Sequence, residues 1–330
     1  MKVWLCLLLC FSNLSLSKEA DDMYCILSFE DQSILESKNA HLQKSVASTS
    51  KIMSAIIALE QGKLKDEIKV SPHILDAYGS SIYLKVNQKI SLKSLLYGLL
   101  LRSGNDAAIE IAYHISGSEK NFVKEMNKKA NEIGMLNTQF HNSSGIDDQG
   151  KGNLSTAYDM AILMSYAMKN KNFRNITSAK YYQEKDNKWK NKNRLLFDFP
   201  FVNGGKCGYT KKAGRTLVTS AIKDDLAFII VTLKIEDDFT FHKETYQKLF
   251  KDYKCLNVLD KGNYQSNHYQ IKINKDIKSV IRKDNQDQLS IHTHIEDNIF
   301  TLELNKNKQV QLYHFPAKRV QHSFFDRFKP

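Results

Sequence analysis

Three short groups of residues in this chain carry side chains suited to acyl transfer. Ser48 stands three residues before Lys51 in "ASTSK", at the head of the apolar run "KIMSAIIALE". On a helix, positions i and i+3 share a face, so the lysine amine lies beside the serine hydroxyl. A serine is a weak nucleophile until a base takes its proton. Lysine can be that base only if it is neutral part of the time, which burial and a neighbouring cation both favour. The apolar run supplies the burial, and a helix N-terminus also leaves the Ser48 N–H available to a developing oxyanion. Alone, the pair reads first as a helix cap and a snorkelling lysine.

The second group, Ser103-Gly104-Asn105, falls in a break between two apolar helices, where it reads either as a turn or as two polar side chains pointing into a cleft. The third, Lys206-Cys207-Gly208, follows turn glycines and precedes a β-hairpin. That setting suits an edge strand with a lysine facing a cleft and a glycine that permits close approach. The remaining polar candidates look bland. His292 and His294 alternate on one strand as two exposed residues of a face rather than as metal ligands, and the pairs Asp147-Asp148, Asp224-Asp225 and Asp237-Asp238 read as turns.

The elements that must position these groups follow from hydrophobic patterning. "MYCILSF" (23–29) predicts a strand, with a turn and a return strand after it. A helix starting at Ser48 carries Ile52, Ala55, Ile56 and Leu59 on one face and stops at Gly62. From Leu92 to Lys128 the pattern is helical with one break, at 102–106. "STAYDMAILMSYAM" (155–168) opens on a capping residue and continues as an amphipathic helix. Residues 215–235 are two β-rich runs around a charged turn, and "TYQKLFKDYKCL" (245–256) reads as a closing helix. The expected class is therefore α+β: antiparallel strands packed with helices to about Lys254, then a small all-β domain over 255–316 of alternating pattern.

At 330 residues, 42% hydrophobic and 25% charged, the chain is no disordered segment. Its first 17 residues, a lysine, an apolar stretch too short to span a bilayer and a polar end, predict an export signal. The net charge of +12 is spread over the whole chain rather than gathered in a nucleic-acid-binding block, so outside the cytoplasm its acidic neighbours are anionic lipids and wall polymers. Beyond the signal, Cys25, Cys207 and Cys255 form neither a disulfide framework nor a zinc pattern. The tail, 317–330, sets Val320, Phe324, Phe325 and Phe328 at helical spacing among basic residues, which fits a peripheral membrane contact or a docked segment.

In the order Ser-x-x-Lys, Ser-Gly-Asn, Lys-x-Gly, the three groups resemble those of the penicillin-binding proteins and serine β-lactamases. With "LLYGLLLRSGNDAAIEIA", "NSSGIDDQGKGNLSTAYDMAIL", "NRLL" and "VNGGKCGYTKKAGRTLV", residues 23–255 resemble the low-molecular-mass D-alanyl-D-alanine carboxypeptidases. The resemblance implies a β-lactamase/transpeptidase-like fold and a substrate of peptidoglycan stem peptides ending in D-Ala-D-Ala, with β-lactams as acylating analogues. It implies no metal, no cofactor and no nucleic acid. Ser48 is then the nucleophile, Lys51 its base, Ser103 a proton relay and Asn105 an orienter of the substrate amide. Lys206 sets the charge of the site and helps bind the terminal carboxylate, Cys207 and Gly208 flank the substrate, and the N–H groups of Ser48 and Tyr209 form the oxyanion hole.

The chain departs from that family at three points. Cys207 stands where the family has threonine, and a thiol is a weaker donor to a carboxylate. The loss of one hydrogen bond to a charged group is worth roughly 1.5–3 kcal/mol, or about ten- to a hundredfold. In a basic cleft the same thiol could also be reactive. An arginine common near the closing helix is missing, with His242 or Lys243 in its neighbourhood, and Asn153 occupies a position where relatives often have histidine. These departures keep open an alternative reading, a wall-peptide-binding protein of the same fold with little or no turnover.

Overall fold

The computed structural model describes residues 22–147, 152–184, 187–266, 268–284 and 287–319. The expected export signal and the tail from Val320 onward lie outside them.

Five strands form the main sheet: β1 (Met23–Ser28), β2 (Ile34–Lys38), β3 (Val202–Thr210), β4 (Gly214–Lys223) and β5 (Leu226–Leu233), in the order β2-β1-β5-β4-β3. Every neighbouring pair is antiparallel, and β1 meets β5 across most of the length of the unit. All of β5 is buried, which explains its nearly continuous apolar sequence: both faces of the sheet are covered. Ile229, Val231 and Leu233 alternate into the core shared with the main helical layer, while Phe228 and Ile230 point to the opposite core.

The helices are α1 (Lys51–Gln61), α2 (Leu92–Tyr97), α3 (Asn105–Ser116), α4 (Glu119–Glu132), α5 (Ala157–Lys169), α6 (Lys171–Thr177), α7 (Leu195–Asp198) and α8 (Asp238–Asp252). Lys51 through Ala58 of α1 are all buried, so this helix runs through the middle of its layer. α5 is capped one residue later than the sequence suggests, by Thr156 rather than Ser155, the Thr156 side chain accepting from the Asp159 N–H at 3.0 Å. α8 covers the other face of the sheet with Tyr246, Leu249 and Phe250.

Three expectations about the helices need correction. The α-helix begins at Lys51 rather than Ser48, because Ala47–Ser50 form a tighter 3-10 turn in which the Thr49 and Ser50 hydroxyls donate back to the carbonyls of Val46 and Ala47. The helical stretch from Leu92 has a second break, at Gly117 (φ +70°), after which Ser118 caps α4. The closing helix ends at Asp252. Residues 253–256 are strand, since Tyr253–Leu259 pairs with Ile277–Arg282 and that pairing overrides the helical spacing.

The C-terminal strands are β6 (Tyr253–Leu259), β7 (Gly262–Ser266), β8 (Tyr269–Ile273), β9 (Ile277–Arg282), β10 (Leu289–Glu296), β11 (Ile299–Lys306) and β12 (Gln309–Arg319). β6 pairs with β9, and the rest form a sheet ordered β7-β8-β12-β11-β10 around Ile271, Ile273, Leu302, Leu304 and Phe315. The whole is α+β followed by an all-β region, as the patterning predicts. Residues 317–319, assigned to the tail, are instead the end of β12, with Ala317 buried. A buried ion pair ties this region to the β1–β2 turn: the Lys306 ammonium lies 2.8 Å from Asp31 and also donates to Ser33 Oγ and the Val280 carbonyl.

Candidate active site

Between Ser45 and Ala58, Ser48 alone is not buried. The backbone that presents it is strained: Ala47 sits at φ +46°, a left-handed conformation costly for a residue with a Cβ. Gly145 (φ +81°) packs against the Ala47 carbonyl so closely that no side chain fits there. The Lys51 ammonium nitrogen is 3.0 Å from Ser48 Oγ and 2.7 Å from Asn105 Oδ1, and it also donates to the Ser144 carbonyl. Burial pushes the Lys51 pKa well below the ordinary lysine range, and the nearby charges of Lys206 and Lys192 push it further. The buried amine is thus held against the hydroxyl by neutral acceptors.

Asn105 opens α3, and its Nδ2 donates to the Tyr78 carbonyl at 2.5 Å, so both ends of its amide are engaged within the protein. In this geometry its Oδ1 accepts from the Lys51 amine. Ser103 lies two residues earlier in the left-handed turn (φ +66°) between a π-helical turn and α3. It is buried, and among the described residues its hydroxyl makes no hydrogen bond.

Strand β3 is the free edge of the main sheet. Arg215 accepts at its carbonyl from Lys234 N–H (2.8 Å), which turns its backbone groups toward β5. Tyr209 faces Arg215 in register as a non-hydrogen-bonded pair, and its own N–H therefore points to the open edge. Gly208 is what brings that edge to the serine, since a Cβ there would stand 2.8 Å from the Ser48 nitrogen. The N–H groups of Ser48 and Tyr209 thus border one pocket, lined also by Tyr78, Asn105, Asp147 and Lys212. Lys206 is fully buried on the side of the sheet facing α1 and donates to the Cys207 carbonyl at 2.6 Å. Burial lowers its pKa to about 8.

Several participants were not legible as such. Asp147, read as a turn residue, accepts from Ser45 and from Thr210, joining the loop that carries Ser144 to the end of β3. Asn153 accepts from the N–H groups of His141 and Asn142 and donates to the Asn142 carbonyl, fastening the base of that loop. Asp238 is buried and ion-paired with Arg215 at 2.6 Å, so it too is more than a turn. Lys192, exposed and donating to Ser80 Oγ, is a further cation near the pair. His242 does not stand in for the missing arginine: it is fully buried between Thr219 and Thr232, away from the cleft. Cys25, Cys207 and Cys255 are all free thiols, and both His292 and His294 are exposed on β10.

An antiparallel sheet covered by helices, followed by an all-β C-terminal region, is the fold of the low-molecular-mass penicillin-binding proteins. Within that class the chain belongs to the D-alanyl-D-alanine carboxypeptidase family, whose sequence profile it matches over residues 16–237. It is 39% identical over 208 residues to D-alanyl-D-alanine carboxypeptidase DacF of Bacillus subtilis, covering 60% of this chain and 53% of that protein. It is 35% identical over 213 residues to D-alanyl-D-alanine carboxypeptidase DacA of Haemophilus influenzae, covering 60% and 52%. The match thus spans about half the length of these curated relatives. The fold is shared with penicillin binding protein 5 from Haemophilus influenzae, at a TM-score of 0.79 and 24% identity over 90% of this chain and 96% of that one.

Proposed function

We propose that this chain is a serine-type D-alanyl-D-alanine carboxypeptidase that removes the terminal D-alanine from peptidoglycan stem peptides. The observation that carries the reading is the buried, pKa-depressed Lys51 amine 3.0 Å from Ser48, the one hydroxyl of its segment that is not buried. Ser48 Oγ attacks the carbonyl between the two D-alanines and its proton passes to neutral Lys51. The Ser48 and Tyr209 N–H groups stabilise the oxyanion. Ser103 relays a proton to the leaving amine, D-alanine departs, and water cleaves the Ser48 ester to restore the hydroxyl. A β-lactam follows the first half of this course, but its ring amine stays tethered to the acyl group, so the enzyme is held as the ester. Lys206 supplies positive charge at the site, and Cys207 and Gly208 line the path of the substrate.

The working unit is residues 18–254, with the region from 255 carrying it. The chain acts outside the cytoplasm, a placement supported by its first 17 residues; among the described residues no helix is long and apolar enough to cross a membrane. Intact-mass measurement after mixing with benzylpenicillin tests the reading. One adduct is expected, absent in Ser48→Ala. It should form about ten- to a hundredfold faster in Cys207→Thr, which restores a good hydroxyl donor to the substrate carboxylate. A protein inert in both the natural and the Cys207→Thr form is a binder of wall peptides rather than an enzyme.

A further inference from the structure

If the closing helix contributes no arginine to the cleft and Cys207 offers only a thiol, the carboxylate at the end of the substrate needs another cationic partner. Strand β4 carries one. Arg215 lies directly opposite Tyr209, and Cys207 lies opposite Leu217. Residues facing each other across a ladder share a face, as do i and i+2 along one strand. Arg215, Tyr209 and Cys207 therefore rise on the same side of the edge strand, the side covered by α8, while Lys206 descends on the other. Because Tyr209 and Arg215 form a non-hydrogen-bonded pair, their side chains lie at the closer of the two ladder spacings.

The guanidinium is held in place. Asp238, in the first turn of α8 and 2% exposed, accepts from Arg215 Nε at 3.1 Å and from Nη2 at 2.6 Å, both on the single oxygen Oδ1. The Phe239 ring lies 5.6 Å from the Arg215 guanidinium carbon, and Arg194 stacks over the same ring at 4.5 Å. With its side chain still 40% exposed, Arg215 keeps the Nη1 edge without a partner among the described residues. A planar guanidinium with one edge anchored and the other open is suited to a carboxylate.

We propose that Arg215, oriented by Asp238 and Phe239, binds the terminal carboxylate of the peptide or β-lactam and takes over the anchoring that Cys207 and the closing helix do not supply. The inference rests on the carboxypeptidase reading but is testable apart from turnover. The full chain carrying Ser48→Ala is titrated with an N-acylated peptide ending in D-alanyl-D-alanine, as the free acid and as the C-terminal amide. The acid should bind more tightly. Arg215→Gln should weaken the acid about ten- to a hundredfold and leave the amide nearly unchanged, and Arg215→Lys should recover part of the loss. Arg215→Gln combined with Asp238→Asn, which leaves no unpaired buried carboxylate, should reproduce the single variant if the fold is intact. Equal weakening of acid and amide, or no weakening of either, overturns the clamp while the carboxypeptidase reading stands. Failure of the Ser48→Ala protein to bind either peptide overturns both.

Discussion

Gly145→Ala probes how far the reactivity of Ser48 depends on the backbone that presents it. Gly145 is left-handed (φ +81°), and an added Cβ would overlap the Ala47 carbonyl and come within 2.5 Å of Ser50 Oγ. A left-handed alanine costs roughly 1–2 kcal/mol, and forcing a methyl into a filled space adds about 1–3 kcal/mol. A total of roughly 2–5 kcal/mol should lower Tm by about 4–20 °C for a unit of this size. Relief of the overlap requires the Ala47 carbonyl to retreat by about 1 Å. Ser48 follows Ala47 in the chain and Lys51 lies one turn on, so the oxyanion pocket and the hydroxyl move with it. A displacement of that size is worth on the order of a hundredfold in rate. The internal control is Gly117→Ala, where φ is +70° but an added Cβ meets nothing within 4 Å. That variant carries the conformational cost without the overlap. Stopped-flow acylation by benzylpenicillin and calorimetric melting of both variants decide the matter. If Gly145→Ala acylates as fast as Gly117→Ala, the strained presentation of Ser48 has no kinetic role.

Acylation by benzylpenicillin should rise with pH as Lys51 loses its proton, and fall again above about pH 8, where Lys206 becomes neutral. Lys206→Arg keeps the charge and should move the falling limb upward; a wild-type profile flat to pH 10 would sink this assignment. His242 gives a stability prediction. Burial lowers its pKa to about 3 against an ordinary 6.5, so between those values only the unfolded chain takes up the proton. Its contribution to stability is therefore present above pH 6.5 and is lost as the pH falls toward 3, at up to about 1.4 kcal/mol per pH unit. Urea unfolding of wild type and His242→Gln between pH 4.5 and 7 should show a difference that grows with pH in the wild type's favour. A constant difference would contradict it.

Much of the fold was legible because the strongest signals were local. The continuous apolar run of β5 and the amphipathic α5 declare themselves within a window of a dozen residues. So did Ser48, Lys51, Ser103, Asn105 and Lys206 as candidates, since their types and order form a pattern. The residues that were missed act across the chain. Asp147 reaches Ser45 and Thr210, 102 and 63 residues away, and Arg215 meets Asp238 only once β4 packs against α8. Dipeptides of aspartate look like turns whether or not their carboxylates are later buried. The 3-10 turn before α1 was hidden for another reason: its cause is a pair of hydroxyls bonding backward, and Ser and Thr read more readily as a helix cap.

The ion pair between Lys306 and Asp31 bears on how such chains can be cut and recombined. Asp31 belongs to the first unit and is fully buried by the last strands, where it also accepts from the N–H groups of Ser33 and Val280. A foreign segment after Asp252 that covered Asp31 without supplying a cation would leave its carboxylate buried with no counter-ion, a defect worth about 3–5 kcal/mol. The two halves are therefore matched parts. A chimeric form whose new segment covers this site would need either a cation there or a neutral residue at position 31.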